Sequence, residues 1–314
     1  MWWSELVVVY LGLIITVLII LVLIPILDGI ERKFVKARIQ SRVGPPILQT
    51  YYDLIKLFRK ELLVPSTASK LFIIAPILSF FTSVATLFVV PYTLSNPLGF
   101  EGDLILFIYL LIFSSITALL GGLSSSNPFT EVSSSRELSL LMASELFLGL
   151  SIAVIALKQS SLSLSKISST PVITPSVILA YIALLYYAFI KSARTPYDIA
   201  EAEPEIASGY LIEYSGPLLA FMILGNLVRR YLTTSFFVVV ALGPTVSLAT
   251  SVIPTPTKEL TNYVLILGLS TLTYLALGTA SVIHGRYRVI HALDSIRKYT
   301  SVPIIALVLA VVGL

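Results

Sequence analysis

The chain predicts an all-α, polytopic membrane protein of about eight tilted transmembrane helices, with one further amphipathic helix lying in the interface. Three observations predict it. Hydrophobic residues make up 56% of the chain and charged residues 12%, against about 25% charged in soluble domains. The apolar residues fall in runs of roughly twenty, the length needed to cross about 30 Å of hydrocarbon. Lys and Arg are spread very unevenly among the segments between those runs. At 314 residues, this pattern reads as a single membrane domain over 1–314.

The first run, Leu6 to Leu27, has no Lys or Arg before it and no small-residue cleavage site after it. It reads as an anchor and not a signal peptide. Further runs lie near 71–92, 103–122, 137–157, 173–193, 261–283 and 302–314. Leu218 to Ile253 is too long for one simple span and contains Arg229-Arg230. It is either one tilted or broken span or two short ones. Counted once, it brings the spans to eight, with both termini on one side.

With that count, the loops after spans one, three, five and seven hold nine, one, two and four Lys or Arg, 16 of the 21 in the chain. The positive-inside rule makes that side cytoplasmic in a multi-pass cell-membrane protein. Topology thus accounts for a sequence pI near 9.1 with no nucleic-acid partner. The chain has no cysteine, which excludes disulfides, thiolate zinc sites and cysteine-ligated iron–sulfur clusters within it. Any redox centre belongs to a partner.

The first cytoplasmic loop, 28–70, carries nine basic and four acidic residues. Within it, Tyr51, Leu54, Ile55, Phe58 and Leu62 recur at helical spacing, with Lys56, Arg59 and Lys60 opposite, which predicts an amphipathic helix in the membrane interface. The outer loops are short or Ser-rich and carry no chemical signal.

Arg194 to Pro217, RTPYDIAEAEPEIASGYLIEYSGP, holds five carboxylates, Asp198, Glu201, Glu203, Glu205 and Glu213, against one Arg. Thr195-Pro196-Tyr197-Asp198 has the grammar of a helix start. Pro204 forbids an unbroken helix, so two short helical turns are expected, the second stopped at Gly209. Such a bent acidic loop suits the wall of a wet cavity. Its charge is opposite to that of the 28–70 loop, so the two are expected to meet.

Glu145 falls mid-span with no neighbour in sequence to pair with it, where an ionised side chain costs about 2.5–3.5 kcal/mol on insertion scales. That cost points to a functional role. Glu137 lies about 12 Å along the same helix, beside Arg136; those two read equally as an interfacial pair. Arg229 and Arg230 either snorkel between half-spans or face a polar cavity. His284 and His291 lack a nearby carboxylate or cysteine, so no metal site is expected. There is no phosphate-binding glycine loop and no nucleophile motif.

Several of these stretches resemble one family. ERKFVKARIQSRVGP, Glu31 to Pro45, resembles the first-loop signature of the H subunit of NADH:quinone oxidoreductase, respiratory complex I. DLIKLFRKE (53–61) follows it as in that family. SRELSLLMASELFLGL (135–150) is similar to the family's fourth span, with Glu145 at its buried glutamate, and Arg194 to Pro217 resembles its acidic loop, ending in Glu213-Tyr214-Ser215-Gly216.

The resemblance covers essentially the whole chain. It implies a helical bundle at the joint between a membrane arm and a cytoplasmic redox arm. It further implies an ion-translocation path through Glu145, Glu137, Asp198, Glu201, Glu203, Glu205 and Glu213. The partner-docking face would include Glu31, Arg32, Lys33, Arg38, Gln40, Arg42, Arg194 and Tyr214. The implied partners are iron–sulfur and hydrogenase-like large subunits, antiporter-like membrane subunits and membrane lipid. Iron–sulfur clusters would sit on those partners, and this chain would bind no cofactor.

Glu203-Pro204-Glu205, and Leu224-Gly225-Asn226 where quinone-using members commonly carry an acid, look more like the archaeal membrane-bound hydrogenase and sulfur-reducing relatives. They weigh against quinone. The expected role is therefore membrane anchor and ion-coupling subunit of a ferredoxin-dependent complex. The alternatives are a quinone-chamber subunit and an autonomous cation transporter.

Overall fold

The computed structural model describes residues 2–94, 96–200, 207–254 and 257–313, with side chains from residue 10 onward. The described residues form a helical bundle. Among the described residues, seven helices are long and apolar enough to cross a membrane, and Pro175–Lys191 is a shorter apolar one. At 17 residues it spans about 26 Å.

Helix α1 (Trp2–Ile30) does not stop at the predicted loop. It runs on through a π-helical turn, Glu31–Lys36, and a last α turn, Ala37–Ile39. The predicted 28–70 loop therefore starts twelve residues too early. Burial explains the extension: Asp28, Glu31 and Ala37 are all buried, so the polar residues still face protein. Helix α2 (Gln49–Phe58) is the amphipathic helix, with Leu54 buried and Tyr52 and Ile55 exposed. It ends short of Leu62.

Helices α3 (Leu71–Val89) and α4 (Asp103–Leu123) pack closely. Buried small side chains at Ser79, Ser83, Ser114 and Thr117 allow their backbones to approach, as membrane helix contacts require. Helix α5 (Pro128–Gln159) starts nine residues before the apolar run that marked it in sequence. Asn127 caps it by accepting from the Phe129 amide at 2.9 Å, and Pro128 holds the first helical position. The polar first turns stay helical because Thr130, Ser133 and Ser134 are buried beneath the 207–215 segment.

A short helix α6 (Leu164–Ser169) leads to α7 (Pro175–Lys191). The long run at 218–253 resolves into one span, α8 (Gly216–Ala241), and a short helix α9 (Gly243–Ala249). Helix α10 (Thr257–Ile283) follows. Helices α11 (Val289–Tyr299) and α12 (Ser301–Val312) together make the last span. Rings stack across the core, as Phe107 on Phe236 at 4.3 Å. Exposed Leu, Ile, Val and Phe side chains cover the outer helix faces, the surface a bilayer would solvate.

Candidate functional site

The segments 40–48, 59–70, 193–200 and 207–215 gather at one end of the bundle, here the near end. Two adjacent cavities lie there, each with charged residues in its lining. The inner one, about 50 Å³, is lined by Glu137, Lys191, Tyr197, Asp198, Tyr210, Asn226 and Arg229 among others. The outer one, about 780 Å³, opens among Asp28, Arg32, Lys36, Gln40, Arg42, Arg194, Asp198, Arg230, His284 and Arg286. Asp198 lines both.

Glu137 projects from α5 into the inner cavity and faces Lys191, Arg229 and Asp198. Arg229 is held there by Ser79 Oγ at 2.7 Å, the Ser114 carbonyl at 3.2 Å and the Asn226 side chain. Of the two readings for this arginine, a polar cavity is the one observed. Arg230, one residue on, turns toward Asp28 at 3.8 Å.

Glu145 is not alone. Lys191 Nζ lies 3.1 Å from Glu145 Oε1, and the Tyr187 hydroxyl approaches the same oxygen at 3.4 Å. The partner was invisible in sequence because it comes from the end of α7, 46 positions away. Lys191 also lines the inner cavity, so it joins Glu145 to Glu137 and Asp198. Glu145 Oε2 is buried with no protein partner among the described residues.

The two loops of opposite charge do meet, with the charges exchanged. Arg194, the one base of the acidic stretch, clamps Glu31 of the basic stretch, Nε to Oε1 at 3.1 Å with the second arm on Oε2. Lys36 approaches Glu31 Oε1 at 3.2 Å. Beside them Asp28 takes Arg32 Nε at 2.9 Å and the Thr50 hydroxyl at 2.8 Å. Sequence reasoning missed Asp28, Lys191 and Asn226. The cost of placing Asp28 at the end of an apolar helix was the available signal for it.

Asp198 pairs with Arg286 at 2.7 Å, a partner from the α10–α11 connection. No helix starts at Thr195-Pro196. Instead the segment spends its polar groups on neighbours: Thr195 donates to the Ser281 carbonyl at 2.6 Å, the Pro196 carbonyl accepts from the Tyr287 amide at 3.0 Å, and the Ala200 carbonyl accepts from Ser133 at 2.6 Å. The Tyr197 hydroxyl lies 2.9 Å from Ser295 Oγ, and burial raises that phenol above its ordinary pKa. Gly209 sits at φ +59, where a Cβ would collide with the Ala200 carbonyl. Glu201, Glu203 and Glu205, and the expected hinge at Glu203-Pro204, lie outside the described residues.

Other expected residues are placed elsewhere. Glu213 accepts from the Asn127 side chain at the start of α5 and is not among the residues lining either cavity. Tyr214 stacks on Phe72 at 4.2 Å and donates to its carbonyl at 3.2 Å. Lys33 and Arg38 lie over the exposed Phe34 ring, at 5.5 and 5.4 Å. Arg42 donates to Gln40 at 2.8 Å, and both face the outer cavity.

Chemically, the arrangement suits water and exchangeable protons. The inner cavity has room for a few water molecules and lies far below the roughly 300 Å³ of a small-ligand pocket. The outer cavity is large enough for a ligand, but a ring of carboxylates, guanidiniums and amines is a poor lining for an apolar quinone. Among the described residues no group of three His, Cys, Asp or Glu side chains is placed to hold a metal ion.

A family model described as NADH dehydrogenase matches residues 11–312. The chain is 36% identical to hydrogenase-4 component C of Escherichia coli, over 70% of this chain and 71% of that protein. It is 32% identical to formate hydrogenlyase subunit 4 of the same organism, over 70% and 74%. To the H subunit of NADH-quinone oxidoreductase from Bacillus cytotoxicus it is 34% identical, over 68% and 67%. A solved chain of the membrane-bound sulfane sulfur reductase, an archaeal respiratory membrane complex, matches with a TM-score of 0.82 and 25% identity. That match covers 95% of this chain and 99% of the other. A buried charged cavity inside an all-helical membrane bundle, with matches along almost its whole length, makes this chain an integral membrane member of the NADH dehydrogenase family.

Proposed function

We propose that the chain is the membrane anchor and ion-translocation coupling subunit of a complex I-related, ferredoxin-dependent respiratory complex of the hydrogenase or sulfur-reducing kind. One observation carries the reading: Glu137, Lys191, Asp198 and Arg229 share a water-sized cavity, and Lys191 hands on to Glu145 inside α5. A set of titratable groups linked through water is what proton or cation transfer requires.

In this reading the near end is cytoplasmic. The outer cavity, ringed by Arg32, Lys36, Arg42 and Arg286, is where an iron–sulfur subunit and a hydrogenase-like large subunit dock. Electrons stay on those partners. A change in charge there shifts the Glu31–Arg194 and Asp198–Arg286 pairs, and through Asp198 the inner cavity. Antiporter-like membrane subunits take up the ion on the far side of Glu145.

The relatedness to the H subunit of a quinone oxidoreductase supports a second reading, a quinone chamber, which the polar lining disfavours. The test is the intact complex in liposomes supplied with reduced ferredoxin. Hydrogen or sulfide as product, with ion uptake, supports the proposal. Quinol as product overturns it in favour of the second reading.

A further inference from the structure

Away from the cavities, the facing sides of α8 and α10 carry a line of buried hydroxyls. Tyr274 is buried beneath Arg194, whose guanidinium lies 4.2 Å from its ring centre. Tyr231 on α8 is next, its ring 6.5 Å from that of Tyr274, and it faces Tyr92, Tyr263 and Ser270. The Tyr92 hydroxyl then meets Ser235 Oγ at 3.2 Å. Beyond Tyr263, Asn262 accepts from Thr250 at 2.7 Å and reaches the Thr93 carbonyl at 3.5 Å, at the far end of the bundle. From Tyr274 to Tyr263 the line covers about 16 Å of helix.

Two of these tyrosines, Tyr263 and Tyr274, bury the hydroxyl oxygen with no protein partner among the described residues, and Tyr231 between them has Ser270 beside its hydroxyl. Buried tyrosines elsewhere behave otherwise: Tyr187 reaches Glu145, Tyr214 the Phe72 carbonyl, and Tyr197 reaches Ser295. A buried hydroxyl without a partner forfeits the hydrogen bonds it would make in water. Phe would serve packing alone. Two such hydroxyls on α10, with Tyr231 of the facing α8 between them, therefore mark a place where internal water completes the bonding.

We propose that these hydroxyls, bridged by internal water, form a second transmembrane path, one for protons, running between the Glu31–Arg194 pair and the far end of the bundle. The proposal rests on the ion-coupling reading above and adds a route separate from Glu137 and Glu145. Its chemistry selects the ion. Neither α8 nor α10 supplies an acid between Tyr263 and Tyr274, so an alkali cation would find no counter-charge. A proton needs only hydroxyls and water in sequence. Arg194 over Tyr274 places a fixed positive charge at the near mouth, which opposes leakage while it is paired with Glu31.

Two measurements on the intact complex test it. In radiolytic hydroxyl-radical footprinting, internal water should oxidise Tyr231 and Tyr274 several-fold faster than Phe107, Phe147 and Phe236, which are buried to the same degree. Equal rates overturn the hydrated column, whatever the complex pumps. In liposomes, Tyr231→Phe and Tyr263→Phe should each lower protons moved per electron several-fold with electron transfer retained, and Tyr109→Phe on the exposed surface should not. Unchanged proton yield in both variants overturns conduction even if the column is wet. A wild-type complex that moves no ions at all defeats the ion-coupling reading instead, and the footprint still decides whether the column holds water.

Discussion

Arg194 and Glu31 form a two-armed ion pair across 163 positions of sequence, with side chains 1% and 0% exposed. Each comes from a stretch whose net charge is opposite to its own. Breaking such a pair from one side leaves a buried charge uncompensated, at a cost of roughly 3–5 kcal/mol, whereas replacing both partners by apolar groups is often near neutral. Glu31→Met or Arg194→Met alone should lower the thermal midpoint of the purified protein strongly. The double variant should recover most of the loss. Additive losses would mean that the pair is not the link between the two stretches.

Gly278 on α10 makes room for that pair. A Cβ there would sit 2.9 Å from Glu31 Cδ and 3.0 Å from Cγ. Gly278→Ala should therefore destabilise by about 1–3 kcal/mol through overpacking. Gly268→Ala, ten positions earlier on the same helix with nothing within 4 Å, should be neutral or stabilising by roughly 0.5–1 kcal/mol. Thermal unfolding of the two variants side by side gives the comparison.

Glu145→Gln keeps shape and removes the titratable proton. Assembly and electron transfer to the acceptor should survive, with ions moved per electron falling sharply. Lys191→Met should do the same and also cost stability, since it strips Glu145 of its cation. Should Glu145→Gln leave the ion-to-electron ratio unchanged, the Glu145–Lys191 pair is structural and the path runs elsewhere.

Glu137 and Glu213 were grouped in sequence and are separated in space. Glu137→Gln should reduce ion movement, because it faces Lys191, Arg229 and Asp198. Glu213→Gln should leave it unchanged, because that carboxylate holds Asn127. Asn127→Ala loses both that bond and the α5 cap, a change of about 0.5–2 kcal/mol visible in thermal unfolding and not in ion yield.

The apolar runs announced the spans because a bilayer demands about twenty apolar residues whatever the neighbours are. For the same reason the amphipathic helix at Gln49–Phe58 was legible: its faces meet two different solvents. Boundaries were less so. Glu31 to Ile39 and Pro128 to Arg136 are polar enough to read as loop, yet both are helical, because one side of each packs on protein through Glu31 and Ala37 and through Thr130, Ser133 and Ser134, and hydropathy cannot tell a protein wall from water.

The site divides in the same way. A mid-span carboxylate in an apolar chain is expensive, so Glu145 stood out from sequence through cost, Asp198 stood out with the acidic stretch that holds it, and Glu137 read equally as an interfacial pair with Arg136. Which cation answers each of them depends on how the helices are arranged. Lys191 comes to Glu145 from α7, Arg286 to Asp198 from the α10–α11 connection, and Arg194 to Glu31 across more than half the chain. Composition and periodicity are properties of a segment and its solvent, so they survive in a bare sequence. Ion pairs and shared cavities depend on distances between segments, and those exist only once the bundle has packed.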